Sequence, residues 1–109
     1  MKHKITLPQL KKYDITQKVI QALADAESRA IIFSIINKGK TASELSAKLK
    51  IPLSSVYKKL SDLENLTLIE IEKTVLSENG KHFKIYKSRI NKAEILIKKP
   101  EPILSLSAN

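Results

Sequence analysis

The sequence predicts an α+β fold that is mostly α-helical, with four helical segments followed by a β-hairpin. Three observations support this prediction. Apolar residues recur at helical spacing in the first part of the chain, a strong helix-start signal lies at residues 41–44, and apolar and polar residues alternate from residue 68. The length of 109 residues fits one domain, and a hydrophobic fraction of 42% is enough for an aliphatic core.

Several classes of protein are excluded by composition. Cysteine is absent, which excludes disulfides, thiolate zinc sites and thiol catalysis. Two glycines are too few for a glycine-rich phosphate loop. No apolar run approaches the ~18 residues of a membrane span, and no signal peptide is evident at the N-terminus. We therefore expect a cytoplasmic protein with no membrane segment.

The net charge points to a polyanionic partner. Twenty lysines and arginines against 11 aspartates and glutamates give a formal charge of +9. Such an excess favours nucleic acid binding. The positive charge is concentrated in residues 1–18 and in residues 67–92. Solubility is the alternative explanation for this charge.

The N-terminal part of the chain predicts an arm and two helices. Residues 1–13 are basic and contain Pro8, which predicts an extended arm. Asp14 is a candidate N-cap for a helix ending near residue 24. Asp25 can cap a second helix, which is apolar on nearly every face and should therefore be buried. Gly39 is predicted to end that helix in a left-handed conformation.

The central part predicts a helix-turn-helix. Thr41 and Glu44 have the spacing of a capping box. Pro52 interrupts the helix that follows, because it disfavours a helical conformation at the preceding residue. A second helix of about residues 53–65 then carries a buried stripe of Val56, Leu60 and Leu63. Two short helices joined by about three residues are typical of a helix-turn-helix.

A β-hairpin is predicted to follow. Residues 68–75 alternate as in a half-buried strand, and Asn79-Gly80 predicts a type I′ turn before a return strand at 82–87. Residues 93–97 fit a strand and a short helix equally well, and Ser105–Asn109 is predicted to be a loose tail. The sequence thus predicts an arm (1–13), one domain (14–92) and a C-terminal strand or helix with a tail (93–109).

This order of elements is that of a winged helix-turn-helix domain. Within it, residues 24–66 resemble the ArsR-like family of transcription regulators. The stretch Ala24–Arg29 is similar to the start of that family's central helix, and Ile51–Leu60 is similar to its recognition helix. The resemblance implies a DNA-binding regulator that works as a dimer. Other winged-helix families, including the multiple-antibiotic-resistance-like regulators, have a similar pattern.

Two features depart from the family. Its metal sensors use a Cys-x-Cys motif, so the absence of cysteine excludes thiolate metal sensing here. Residues 91–109 do not clearly form the family's long dimerisation helix. The helix of residues 14–24 is therefore the favoured candidate for a homodimer interface, and any effector is unknown.

The second helix of the pair is the predicted DNA-binding element, because its first two turns can reach base edges in the major groove. Hydroxyl groups and lysines there can bind bases or phosphates, and an aromatic ring can contact a thymine methyl group. The predicted contacts on this helix are Ser54, Ser55, Tyr57, Lys58, Lys59 and Ser61. Of these, Lys59 points further round the helix and is expected to contact a phosphate or nothing. A solvated helix face is the alternative explanation.

Three further residues complete the predicted DNA-binding set. Thr41 is mainly a helix cap, but the N-terminus of a first helix often lies against a phosphate in this fold. Lys81 and Lys84 lie in the hairpin and, like Lys87 on the same hairpin, can bind the minor groove or its flanking phosphates. Protection of a strand edge by lysine is the alternative for all three.

An enzyme is not expected. His3 and His82 have no acidic or serine partner nearby in sequence, and the acidic residues are scattered. We therefore predict no catalytic residue, cofactor or metal. The predicted function is sequence-specific regulation of transcription on double-stranded DNA. The alternative is a winged-helix module that docks on proteins of a transcription or replication complex.

Overall fold

The computed structural model describes residues 7–109, with side chains from residue 15 onward. The four helices in this range are α1 (Leu7–Ala24), α2 (Ala26–Ser34), α3 (Ala42–Leu49) and α4 (Leu53–Asn65). The four strands are β1 (Ile69–Leu76), β2 (His82–Ser88), β3 (Ile90–Leu96) and β4 (Ile103–Ala108). They form two antiparallel hairpins, β1–β2 and β3–β4. The predicted α+β class, with helices followed by a hairpin, is confirmed.

Helix α1 begins earlier than predicted. It starts at Leu7, so residues 7–13 belong to the helix and not to an arm, and Asp14 lies inside it instead of capping it. Pro8 is compatible with this start, because the first N–H groups of a helix have no partner within the helix. The remainder of the predicted arm lies outside the described residues.

The junction between α1 and α2 is held by one acidic and one basic side chain. The Asp25 carboxylate accepts hydrogen bonds from the backbone N–H of Ser28 (3.0 Å) and from its hydroxyl group (2.7 Å), which confirms the predicted N-cap. The Arg29 guanidinium donates to the carbonyls of Leu23 (2.7 Å) and Ala24 (3.0 Å), the last residues of α1. The motif at 24–29 therefore joins the two helices.

Helix α2 supplies the centre of the core. Ile31 and Ile32, together with Ile35 at its C-cap, are fully buried, as predicted for a helix that is apolar on most faces. Phe33 is the exception and is exposed. The helix ends at Ser34, and its C-cap does not involve Gly39.

The predicted left-handed conformation of Gly39 is wrong, since Gly80 is the glycine with a positive φ. Gly39 is needed for space instead. A Cβ atom at this position would lie 2.6 Å from Cγ2 of Ile85 and 3.0 Å from the carbonyl oxygen of Tyr86. The missing side chain lets the segment after α2 pass directly against β2.

The helix-turn-helix is formed by α3 and α4. The capping box is confirmed: Thr41 Oγ1 accepts from the Glu44 N–H (3.1 Å), and the Glu44 carboxylate accepts from the Thr41 N–H (3.0 Å). Lys50 ends α3 in a left-handed conformation with a φ of 56°, and the Ser46 hydroxyl donates to the Ile51 carbonyl at 2.6 Å. The predicted buried stripe is also confirmed, since Val56, Leu60 and Leu63 are at most 1% exposed.

The first hairpin, β1–β2, is called the wing below. Its register pairs Leu76 with His82, but its turn is not the predicted type I′, because Gly80 has a positive φ (78°) and Asn79 does not. The Gly80 N–H donates to the Ser77 carbonyl (3.0 Å), and the Ser77 N–H donates to the Lys81 carbonyl (2.8 Å). This pattern fits a three-residue loop, in which a left-handed glycine follows an ordinary turn.

The base of the wing is fixed to the helices by backbone hydrogen bonds. The Lys40 N–H donates to the Tyr86 carbonyl (3.0 Å), and the Tyr86 N–H donates to the Lys40 carbonyl (2.8 Å). The Ser88 N–H donates to the Ile35 carbonyl at 3.0 Å. Tyr86 and Ile69 are buried in the same core as the helices. The wing therefore forms one body with the helix-turn-helix.

The second hairpin corrects the prediction for the C-terminus. Residues 103–108 form β4, which includes most of the predicted tail. The segment for which a strand and a helix were both predicted lies largely in β3, so it is a strand. Ala93 and Leu104 pack against the core. The side-chain amide of Asn109 donates to the carbonyls of Ile36 (2.9 Å) and Ser88 (3.0 Å). These contacts attach the second hairpin to the base of the wing.

Candidate nucleic-acid interface

The outer face of α4 is the candidate site. Burial of the stripe on one side of this helix leaves the opposite side accessible. Of the residues predicted from sequence, Ser54, Tyr57, Lys58 and Ser61 are exposed and Ser55 is half-buried. The structure therefore brings these five side chains together on the accessible surface of one helix.

Charge is distributed unevenly along this face. The exposed ammonium group of Lys58 lies in the first half of α4. Asp62 and Glu64 are exposed in the second half. The positive and hydroxyl-bearing end is therefore the N-terminal end, which is the end that enters the major groove in a helix-turn-helix complex.

Two exposed apolar side chains also lie in the first half of α4. Leu53 is 41% exposed and Tyr57 is 52% exposed. Burial raises the pKa of Tyr86 on β2, and the nearby Glu64 and Tyr57 of α4 raise it further. From the sequence, Leu53 was expected only to begin the helix. Its position directly after Pro52, ahead of the buried stripe, was the signal that could have shown its exposure.

Lys59 does not share the accessible face. Its Nζ lies 2.8 Å from Asp25 Oδ2 and 3.6 Å from Glu27 Oε1, and its side chain is 23% exposed. The hydrogen bond to Asp25 is the main reason that the pKa of Lys59 is raised. Of the two alternatives for Lys59, a phosphate contact or no contact with DNA, this geometry favours no contact, because its ammonium group binds the first turn of α2.

The same interaction sets the acidity of Asp25. The hydrogen bond from Lys59, followed by the two hydrogen bonds from Ser28, lowers the pKa of Asp25 from 3.8 to about 2. Asp25 thus caps α2 and anchors α4 at the same time. The contact fixes α4 relative to α2.

We expect Asp25→Ala to lower the free energy of unfolding by about 1–2 kcal/mol at neutral pH. The variant loses an N-cap and a largely solvent-screened ion pair. Lys59→Met keeps the cap and should cost less than about 1 kcal/mol. Because the pKa of Asp25 is depressed in the folded state, its contribution is complete above about pH 4 and is lost as the pH falls to about 2.

Urea unfolding of both variants and the parent protein, followed by circular dichroism across this pH range, measures the effect. The gap between the parent and Asp25→Ala should narrow as the pH falls. A gap that stays constant down to pH 2 would contradict the assigned ion pair.

Thr41 and the two predicted wing lysines occupy different environments. Thr41 is half-buried, and its Oγ1 accepts the capping hydrogen bond. Lys81 lies beside the turn and Lys84 lies on β2, and both are exposed. Since side chains alternate along a strand, Lys84 shares its face with Tyr86, which is buried towards the helices. Lys84 therefore extends from the side of β2 that faces the helices.

Among residues 15–109, where side chains are described, no group of three or more histidines, aspartates or glutamates could hold a metal ion. Within the described part of the chain, no helix has the length and apolar character needed to cross a membrane.

Comparison with known proteins supports the fold. The sequence matches no model of a protein family and no curated protein sequence. The structure is similar to the crystal structure of NolR from Sinorhizobium fredii, with a TM-score of 0.60 and 17% sequence identity, over 80% of this chain and 81% of that chain. At this level of identity the likeness concerns the fold, which is a winged helix-turn-helix.

Proposed function

We propose that this protein is a sequence-specific regulator of transcription that binds double-stranded DNA with α4 in the major groove. The accessible first half of α4 carries the proposal. It presents Ser54, Tyr57 and Lys58 to solvent while the opposite stripe anchors the helix in the core. A helix of this width fits the major groove, and these side chains can bind base edges, thymine methyl groups and phosphates.

The wing supplies the second contact in this proposal. Lys81 and Lys84 are exposed, and neither forms an ion pair within the described part of the chain. Each can neutralise a phosphate of the backbone beside the groove that α4 occupies. Such contacts give affinity that falls as salt rises and carry little sequence information.

The proposed regulator is a homodimer of the ArsR-like kind. The resemblance of residues 24–66 to that family supports this part of the proposal, as does the winged-helix fold. A dimer would bind two half-sites about one helical turn apart. Helix α1 is the candidate interface, because the C-terminal segment forms a hairpin and Ile15 on α1 is exposed.

Lys58→Ala and Tyr57→Ala should each weaken binding to a selected duplex by about 1–3 kcal/mol without unfolding the domain. Both side chains are exposed, so their loss leaves the core intact. Fluorescence anisotropy measures binding to a duplex selected from a random-sequence pool, and thermal unfolding checks the fold. Lys98→Ala, in the second hairpin, is the matched control. Unchanged affinity in both α4 variants would contradict the assigned recognition helix.

A protein-docking module is the second candidate function. The exposed apolar side chains of Leu53 and Tyr57, next to the acidic Asp62 and Glu64, also suit a protein surface. The same titration separates the two functions. Failure to bind any duplex at low salt, together with a stoichiometric protein partner, would favour docking. Duplex binding without sequence preference would contradict a sequence-specific regulator.

A further inference from the structure

A second group of basic side chains lies away from α4, where α3 meets the wing. It consists of Lys38, Lys40, Lys48 and Lys87, and it is called the junction cluster below. Sequence analysis indicated Lys87 as a hairpin contact with DNA, but it did not indicate Lys38, Lys40 or Lys48. Three of them converge because the segment after α2 runs along β2, and the fourth lies on α3.

Backbone pairing places the members of the cluster. Lys40 pairs with Tyr86, the neighbour of Lys87 on β2, and Lys38 lies two residues before Lys40. Lys40 also immediately precedes the N-cap of α3. Lys48 lies one helical turn beyond Glu44 on the same helix, so it shares the face of Glu44.

The two inner lysines have structural partners. Lys40 Nζ donates to the Ser34 carbonyl at 2.8 Å, and Lys87 Nζ donates to the Asn37 carbonyl at 3.0 Å. Both contacts satisfy carbonyl groups at or after the C-terminal end of α2. Both lysines are half-buried, and these contacts hold their ammonium groups at the junction.

The two outer lysines are available to a ligand. Lys38 and Lys48 are exposed, and neither ammonium group forms an ion pair within the described residues. The acidic groups nearby are Glu44, which caps α3, and Glu72, whose Oε1 lies close to Gly39. Four lysines against two glutamates leave the junction positive.

The pKa of Lys40 agrees with a positively charged junction. Partial burial lowers the pKa of Lys40, and the positive charges of Lys48, Lys38 and Lys87 lower it further. The carboxylate of Glu44 acts in the opposite direction and raises this pKa. The lysines are thus close enough to repel one another, and an anion at the junction would relieve that repulsion.

We propose that the junction cluster binds the phosphate backbone of duplex DNA, with Lys38 and Lys48 as the contacting residues and Lys40 and Lys87 as positioning residues. The inference rests on the proposed function. Helix α3 packs against both α4 and β2, so the cluster lies between the two elements proposed to contact DNA. A backbone strand running from the groove that holds α4 to the wing passes this junction.

The test is the salt dependence of binding. Anisotropy titrations at several salt concentrations compare the full chain with Lys38→Gln/Lys48→Gln, on a random-sequence duplex and on a selected one. The slope of log K against log salt should become shallower by about 0.9 for each lysine that binds a phosphate. The decrease in slope should be equal on both duplexes, because phosphate contacts carry no sequence information.

The matched control is Lys98→Gln/Lys99→Gln, which removes the same charge from the turn of the second hairpin. It should keep the parent slope. The junction cluster would be overturned as a DNA contact if the junction variant kept the slope of the parent protein. It would also be overturned if the slope became equally shallow in both double variants. Failure of the parent protein to bind any duplex at low salt would overturn the proposed function and this inference together. Unchanged thermal unfolding shows that both variants are folded.

Discussion

Leu60→Ala is expected to lower the free energy of unfolding by about 2–5 kcal/mol, the range found for fully buried leucines. Leu60 is 1% exposed and lies in the middle of the buried stripe of α4, where it packs into the core that α2 organises. Truncation removes buried apolar area and leaves a cavity that the surrounding helices fill only partly. A loss of this size is a large fraction of the stability of a small domain.

The chain offers a matched control for this prediction. Leu53 is on the same helix, but it is 41% exposed. Leu53→Ala should cost less than about 1 kcal/mol, because much of its surface remains in water in the folded state. Urea unfolding of both variants measures the difference. Equal losses in the two variants would show that the stripe does not anchor α4.

Gly39→Ala is expected to destabilise the protein by about 1–3 kcal/mol through overpacking. The added Cβ would lie 2.6 Å from Cγ2 of Ile85 and 3.0 Å from the carbonyl oxygen of Tyr86. Relief requires the segment after α2 to move away from β2, which weakens the pairing of Lys40 with Tyr86. This loss exceeds the ~0.4–1 kcal/mol gained by restricting the unfolded chain.

Gly80 is the control, because position 80 favours glycine for its backbone conformation and not for lack of space. A Cβ there meets nothing within 4 Å, but the φ of 78° is left-handed. Gly80→Ala should therefore cost about 1 kcal/mol, and Gly80→Asn should cost less, because asparagine tolerates this conformation. Gly39→Asn should instead be worse than Gly39→Ala. Thermal unfolding of the four variants checks both explanations, and rescue by asparagine at position 39 would contradict the steric one.

Local signals explain why much of the fold could be predicted from sequence. The capping box at Thr41 and Glu44, the break at Pro52 and the stripe on α4 each depend on residues close together in the chain. Such patterns specify helix ends and buried faces without knowledge of the tertiary structure. The helix-turn-helix was therefore predicted with nearly correct bounds.

The predictions from sequence were wrong where the local structure depends on tertiary contacts. Gly39 was assigned a local role, but its environment is created by β2, which lies far along the chain. Residues 103–108 carry no charged residue and few turn signals, and their strand depends on pairing with β3. The turn at Gly80 was predicted, but its type was wrong because the loop has three residues.

The candidate site also contains features that follow from local sequence and features that depend on tertiary contacts. Exposure of Tyr57 and Lys58 follows from helical periodicity, so sequence was sufficient for them. The ion pair between Lys59 and Asp25 joins residues 34 positions apart. The junction cluster likewise depends on the contact between the segment after α2 and β2. Contacts of this kind are set by the packing of elements and not by spacing along one helix.

The pairing of Lys40 with Tyr86 has a consequence for the shape of the DNA in the proposed complex. Two backbone hydrogen bonds, reinforced by the one between Ser88 and Ile35, fix the base of the wing to the helices. A duplex that touches α4 and the wing together meets two contacts at a fixed separation, so it is the duplex that must bend or twist to fit. Steps that deform easily, such as those from pyrimidine to purine, would then be favoured between the contacts even though no side chain reaches them.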